Sequence, residues 1–253
     1  MKINVHAGHN KIVQGASSLL NEVSENRIVK NEVISLLKKQ GHTVYDCTDA
    51  IATTQNANLK RIVSKCNAHK VDLDVSIHLN SGRNDKKGDG KTGGVEVICY
   101  NAGTEAIAER ICKKISKDLG VRNRGVIYNK NLYVLKNTKA PALLIECVFV
   151  DDKDDYEQWN AKQCAKAIVE AILNKSITEV PKSSYLIKVA NVKKGDVLNI
   201  REKPDANSKK VGSLKYDDPN KYTIVDVKDG WGLLKSGQSN RNKWINLYYT
   251  KKV

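Results

Sequence analysis

No stretch of this chain approaches the roughly 20 apolar residues that a membrane-spanning helix needs, so no such helix is expected. The start, MKINV, lacks the charged-then-apolar layout of a secretory signal, and Lys2–Val5 already reads as a strand. The expectation is synthesis in the cytoplasm, with a separate agent releasing the protein if it acts outside. The six cysteines, Cys47, Cys66, Cys99, Cys112, Cys147 and Cys164, contain no CxxC pair. That argues against a thiolate zinc site or a disulfide framework and for reduced, buried thiols. His-Glu-x-x-His is also missing, which excludes the zincin arrangement. There is no internal repeat and no low-complexity tract.

What is present fits an ordinary globular composition, 40% hydrophobic and 28% charged over 253 residues, enough for a full core and more than one domain. The net charge of +15 is uneven. Residues 1–180 hold 27 Lys and Arg against 21 Asp and Glu, while residues 181–253 hold 16 against 7. So basic a tail suits nucleic acid or an anionic bacterial surface polymer, and charge alone does not choose between them.

Two regions follow different patterns. Up to about residue 174, strand-like and helix-like segments alternate: KINV, then ENRIVKNEVISLLKKQ with Val29, Val33, Leu36 and Leu37 on one face, then HTVYDC, ANLKRIVSKCNAHK and VDLDVSIHLN. GGVEVICY reads as a strand, and TEAIAERICKKISKDL as a helix with Ile107, Ile111, Ile115 and Leu119 in step. NLYVLKN and APALLIECVFV look like strands, and NAKQCAKAIVEAILN closes as a helix. Such alternation predicts an α/β domain with a mostly parallel sheet covered on both sides. Residues 175–183, polar and containing Pro181, read as a linker. Beyond it, five short segments (YLIKVA, DVLNIRE, KYTIVDVK, WGLLK and KWINLYY) predict a small all-β barrel over residues 184–253.

Ligands in open α/β sheets gather at the carboxyl ends of strands. His9 follows KINV, His78 ends VDLDVSIHLN, Glu146 ends APALLIE, and Glu22 opens the first helix. Taken alone, Glu22 reads as an acid complementing a helix dipole, and His9 as a polar turn residue. His78 interrupts an apolar strand, where an imidazole must find a partner. Glu146 sits between Ala-Leu-Leu-Ile and Cys-Val-Phe-Val, so its carboxyl must be paired, protonated or near a metal. Together, two imidazoles, one ligand carboxylate and one spare carboxylate have the composition of a catalytic zinc site.

The blocks HAGHN, NEVSEN, LKRIVSKCN, DVSIHLNS, GGVEVICY, RNRGV and LYVLKNTKAPALLIECVFVDDKDD stand in the order and spacing of the zinc-dependent N-acetylmuramoyl-L-alanine amidases, which residues 1–174 resemble. The resemblance implies a twisted sheet of about six strands flanked by helices, one Zn2+ held by His9, Glu22 and His78, and Glu146 as catalytic acid/base. It implies hydrolysis of the amide between N-acetylmuramic acid and the L-alanine of peptidoglycan. His6 stands where that family usually has aspartate and is a rival ligand. Glu25 rivals Glu22, although Asn26 falls where the family has asparagine four residues after the acid. Arg124 in NRG and Asn80 are candidate substrate-binding residues; His42 and His69 receive no role.

Residues 184–253 resemble bacterial SH3-like domains through LNIREKP, VGSL, GW and KWINLYY. The resemblance implies binding to the cell wall, with Trp231, Trp244 and Tyr248 as candidates and Tyr216, Tyr222 and Tyr249 as further aromatics; Trp231 and Trp244 suit a core equally well. The whole looks like a phage endolysin, with peptidoglycan as partner and release through a holin. A bacterial autolysin or sporulation amidase, or a zinc peptidase cutting the stem peptide, is the alternative. A non-enzymatic wall-binding protein is a further reading, and no nucleic-acid motif appears.

Overall fold

In the first strand, β1 (Lys2–Ala7), alternation puts Ile3, Val5 and Ala7 on one face and Asn4 and His6 on the other, all buried. The computed structural model to which it belongs describes residues 1–177, 184–235 and 243–253. They divide into two units, Met1–Ile177 and Thr178–Val253.

The first unit continues with α1 (Glu22–Lys39), β2 (Thr43–Asp46), α2 (Gln55–Asn67), β3 (Leu73–Asn80), β4 (Val95–Cys99), α3 (Glu105–Leu119), β5 (Asn123–Tyr128), α4 (Tyr133–Asn137), β6 (Ala142–Phe149), α5 (Lys153–Gln158) and α6 (Ala161–Leu173). Its six strands run in the order β2-β1-β3-β6-β4-β5. β4 pairs antiparallel with β6, and the other pairings are parallel. Helix α1 starts where Asn21 accepts the Ser24 N–H at 2.9 Å, with Glu22 and Glu25 in its first turn and Lys38 and Lys39 in its last, the polarity the helix dipole favours. Its buried Val29, Val33 and Leu37 join Ile111 and Ile115 of α3 and Ile168 of α6 in one cluster with Ile3, Val5, Val75, Ile77, Leu143 and Ile145 of the sheet. Each such side chain stabilises the fold by about 1.5–3 kcal/mol through burial. Cys47, Ile62, Val63, Cys66 and Val134 form a separate cluster beneath α2 and α4. All six cysteines are free and buried.

Three segments differ from their sequence patterns. NLYVLKN is not a strand: Tyr133–Asn137 forms the single helical turn α4. Its adjacent Val134 and Leu135 are buried in two different clusters, and five residues are too few for periodicity to tell helix from strand. Arg124 lies on β5, a strand that the sequence pattern did not mark. Ile177, read as linker, is buried, and its N–H donates to Glu170 Oε1 at 3.0 Å. Linker residues 178–183, including Pro181, lie outside the described residues.

The second unit has β7 (Tyr185–Val189), β8 (Val197–Arg201), β9 (Lys210–Lys215), β10 (Tyr222–Lys228), β11 (Trp231–Leu234), β12 (Trp244–Asn246) and β13 (Thr250–Lys252). They form an antiparallel sheet ordered β13-β7-β10-β11-β12-β8-β9 around Ile187, Leu198, Leu214, Ile224 and Ile245. Among the described residues the count is seven strands where five were expected. KVGSLK and TKK carry too many lysines, and too little alternation, to read as strands. KWINLYY is strand only to Asn246; Leu247–Tyr249 is a 3-10 turn.

Candidate metal centre

The turn after β1 carries the first imidazole. Gly8 donates its N–H to Ile77 O at 3.0 Å, and His9 follows in the left-handed region, φ 58°. Only glycine fits before it, because a Cβ on Gly8 would stand 1.8 Å from His78 Cε1. Gly15 is constrained in the same way: a Cβ there would meet Glu22 Oε2 at 2.2 Å and His9 Cδ2 at 2.7 Å. Two missing side chains thus let three donors converge.

Glu22, buried at the head of α1, accepts from His78 Nδ1 at 2.9 Å and from Leu79 N–H at 3.3 Å through Oε1. Its Oε2 accepts from Ala16 N–H at 2.9 Å and lies 3.6 Å from His9 Nε2. One ligand atom from each of His9, Glu22 and His78 falls within 4.8 Å of the others. Burial would raise the Glu22 carboxyl, but the hydrogen bond and charge of His78, the charge of His9 and the Ala16 N–H bring it below its ordinary value. Burial lowers His9 against the pull of Glu22. Burial also acts to lower His78, yet its bond to Glu22 and the charges of Glu146 and Glu22 outweigh it and raise the imidazole. In the metal-free site the His78 Nδ1–H faces the Glu22 carboxylate. A divalent cation bound by two imidazoles and a carboxylate would displace that proton.

Strand register brings the fourth group alongside. His78 pairs with Glu146 across β3 and β6, and Glu146 pairs with Glu96 across β6 and β4, so three titratable side chains form one row. Burial, reinforced by the Glu22 and Glu96 charges and opposed by His78, pushes Glu146 up to about 7. Its Oε2 is buried with no hydrogen-bond partner among the described residues. A carboxyl poised near neutrality, with one oxygen uncommitted beside a cation site, is suited to taking up and giving back a proton.

The rival ligands stand elsewhere. His6 is buried on β1, 3.4 Å from Ser76 Oγ, and burial, with His78 adding to it, lowers its imidazole to about 3; it is not in the three-residue cluster. Glu25 accepts from Trp159 Nε1 at 2.8 Å. Arg124 and Asn80 converge on a group the sequence reading missed: Arg124 Nε donates to Glu96 Oε2 at 2.6 Å and Asn80 Nδ2 to Glu96 Oε1 at 2.7 Å. The Arg124 guanidinium also lies 5.0 Å from the Phe149 ring centroid. Glu96 carried a readable signal, an acid between valines in GGVEVICY. In the acid cluster of Asp85, Asp89 and Asp154, Asp85 accepts the N–H groups of Gly88 and Asp89, and Asp154 of α5 accepts that of Gly90, which accounts for its convergence.

In the second unit Tyr248 is 72% exposed and packs edge-on to Tyr249, with ring centroids 5.1 Å apart. Trp231 is half-buried. Trp244 is only 8% exposed beside the fully buried Ile245, so its indole belongs to the interior rather than to an open binding surface.

Residues 3–178 match the family model described as N-acetylmuramoyl-L-alanine amidase. An uncharacterized protein of Clostridium perfringens is 33% identical over 227 residues, 85% of this chain and 66% of that protein. The chain thus spans about two thirds of that relative's length. Among solved structures, the catalytic domain of the CD27L endolysin targeting Clostridia Difficile is 33% identical, with TM-score 0.62, covering 70% of this chain and 99% of that one. The N-acetylmuramoyl-L-alanine amidase AmiC2 of Nostoc punctiforme is 26% identical, with TM-score 0.59, covering 69% and 96%. The matched stretch is the one that contains the row on β3, β6 and β4 and the His9 turn, and through it the chain belongs to the N-acetylmuramoyl-L-alanine amidase family.

Proposed function

We propose that the protein is a zinc-dependent peptidoglycan amidase of the endolysin type, cleaving the amide between the lactyl group of N-acetylmuramic acid and L-alanine. The observation that carries this reading is the convergence of His9, Glu22 and His78 beside an uncommitted Glu146 oxygen. The three donors suit Zn2+ in kind and number, and Gly8 and Gly15 leave room for them to close around it. Zinc held there supplies positive charge that polarises the amide carbonyl and acidifies water. Glu146 takes the proton from the attacking water and delivers it to the departing nitrogen, so the C–N bond breaks to a lactyl carboxylate and a free L-alanine amine. Burial, and after it the charges of Glu22 and of Glu96, which accepts from Arg124 and Asn80, favour the protonated form of Glu146. Arg124, with its Nε on Glu96, has further donors with which to bind a substrate carboxylate.

Residues 184–253 are read as an SH3-like wall-binding domain, with Tyr248 and Trp231 the aromatics able to contact the wall; residues 1–174 form the catalytic domain. As an endolysin, the chain is made in the host cytoplasm and reaches peptidoglycan through lesions opened by a holin. Digesting purified peptidoglycan with and without a chelator, then identifying the products by mass spectrometry, tests the reading. Stem peptides with a free N-terminal L-alanine, lost on chelation and restored by Zn2+, are expected. Shortened peptides still joined to muramic acid would make the protein a zinc peptidase instead.

A further inference from the structure

Arg27 sits on α1 five residues after Glu22, and its half-buried guanidinium reaches back to the turn that bears His9. Nη1 donates to Gly8 O and Nη2 to His9 O, so one planar fork grips two consecutive carbonyls. Asn26 completes the grip: its Nδ2 donates to Gly8 O at 3.1 Å, and its Oδ1 accepts from Arg27 Nη1 at 2.8 Å. The turn so held contains His9 in the left-handed region and the glycine against which His78 packs. Helix α1 therefore holds Glu22 directly and the His9 backbone through Arg27. We infer that Arg27 is a positioning residue of the metal centre, fixing the His9 turn so that its imidazole is presented to the ion; this rests on the zinc reading above.

Charge makes the inference testable. A guanidinium near a dication opposes its binding, whereas ordering a ligand favours it, so the two effects have opposite signs. Arginine alone supplies the fork; lysine keeps the charge without it, and glutamine and leucine lose both. The experiment measures the zinc affinity of the full-length protein by competition with a chromophoric chelator for wild type, Arg27→Lys, Arg27→Gln and Arg27→Leu, with thermal unfolding of each metal-free protein. Lys30→Met, one turn further along α1, breaks the 2.6 Å ion pair with Asp46 and serves as the structural control.

The expected result is a zinc affinity lowered about tenfold or more in Arg27→Lys and in Arg27→Gln, in line with other groups that orient metal ligands, and unchanged in Lys30→Met. Affinity equal to wild type in all Arg27 variants would overturn the inference. So would a gain in Arg27→Gln with no change in Arg27→Lys, because charge alone would then be acting. If Arg27→Leu fails to fold, the other two variants decide. Wild type that binds no zinc would refute the metal reading itself and the inference with it, a failure distinct from equal binding across the series.

Discussion

Along β3 the two faces of one sheet part company. Leu73, Val75, Ile77 and Leu79 enter the cluster shared with α1, α3 and α6. Asp74, Ser76, His78 and Asn80 take the alternate positions, beside Asn4 and His6 of β1 and Glu146 of β6. A mostly parallel sheet covered on both sides ordinarily reads as continuous apolar runs. Along β1 and β3 one face is given to packing and the other to polar groups, most of them deeply buried, while on β6 Ala142 and Leu144 keep that second face apolar up to Glu146. The division lets the site be polar without a hole in the main core, since a strand side chain on one face has no contact with the other. Ile145 and Glu146, neighbours in sequence, belong to the two faces, and substitutions there should separate their duties.

Glu146→Gln is expected to have the largest effect. It keeps the shape and removes the proposed proton carrier, so turnover on purified peptidoglycan should fall by about 10²–10⁴-fold, with zinc affinity and folding retained. A variant that keeps a tenth or more of wild-type turnover would move the acid/base role to another group, Glu96 first. Ile145→Ala tests the opposite face. Ile145 is fully buried, and its truncation should cost about 2–5 kcal/mol in urea unfolding. The protein that remains folded should bind zinc as wild type does. Loss of zinc with normal stability would show that the faces are not independent.

The pH dependence of stability in metal-free protein sharpens the same contrast. Glu146 titrates near 4.5 when unfolded and about 7 when folded, so folding disfavours its charged form. Its contribution is full below 4.5 and is lost as pH rises through about 7. Glu146→Gln has no such loss and should gain stability relative to wild type over that window, by at most roughly 3 kcal/mol. Parallel unfolding curves at pH 4.5 and pH 8 would contradict a raised carboxyl. Bound zinc favours the carboxylate and should shrink the difference.

The site was legible in the sequence where a polar residue interrupts an apolar strand. His78 and Glu146 stand out in DVSIHLN and ALLIECVF because an uncompensated imidazole or carboxylate does not survive there. Glu96 carries the same signature in GGVEVICY; it passed unread because its meaning depends on β4 lying beside β6, a register that only the fold supplies. Arg27 gave no signal, since an arginine on an amphipathic helix looks like any solvated charge until its carbonyl partners are known. The short turn α4 and the lysine-rich strands β9 and β13 were lost for a different reason. Each is too short or too polar for periodicity to speak.

The smallest effect on activity is expected at Asp74, where the comparison can be made to fail. Asp74 is buried on the polar face, and burial raises its pKa against the opposing side chains of Asn4 and Cys66. It therefore shares with Glu146 the mark often taken as a sign of function. Yet β3 places it four residues before His78, away from the carboxyl edge. Asp74→Asn should leave turnover within about twofold, as a buried substitution that touches no reacting group does. It should also make the protein more stable at pH 8 than wild type, because the wild-type carboxyl loses stability as pH rises above its unfolded value. A large loss of turnover with folding intact would mean that the whole polar face acts as one electrostatic unit. Small change in turnover with the stability gain would confine the chemistry to the row at the edge and leave Asp74 as a buried carboxyl that the fold tolerates without using.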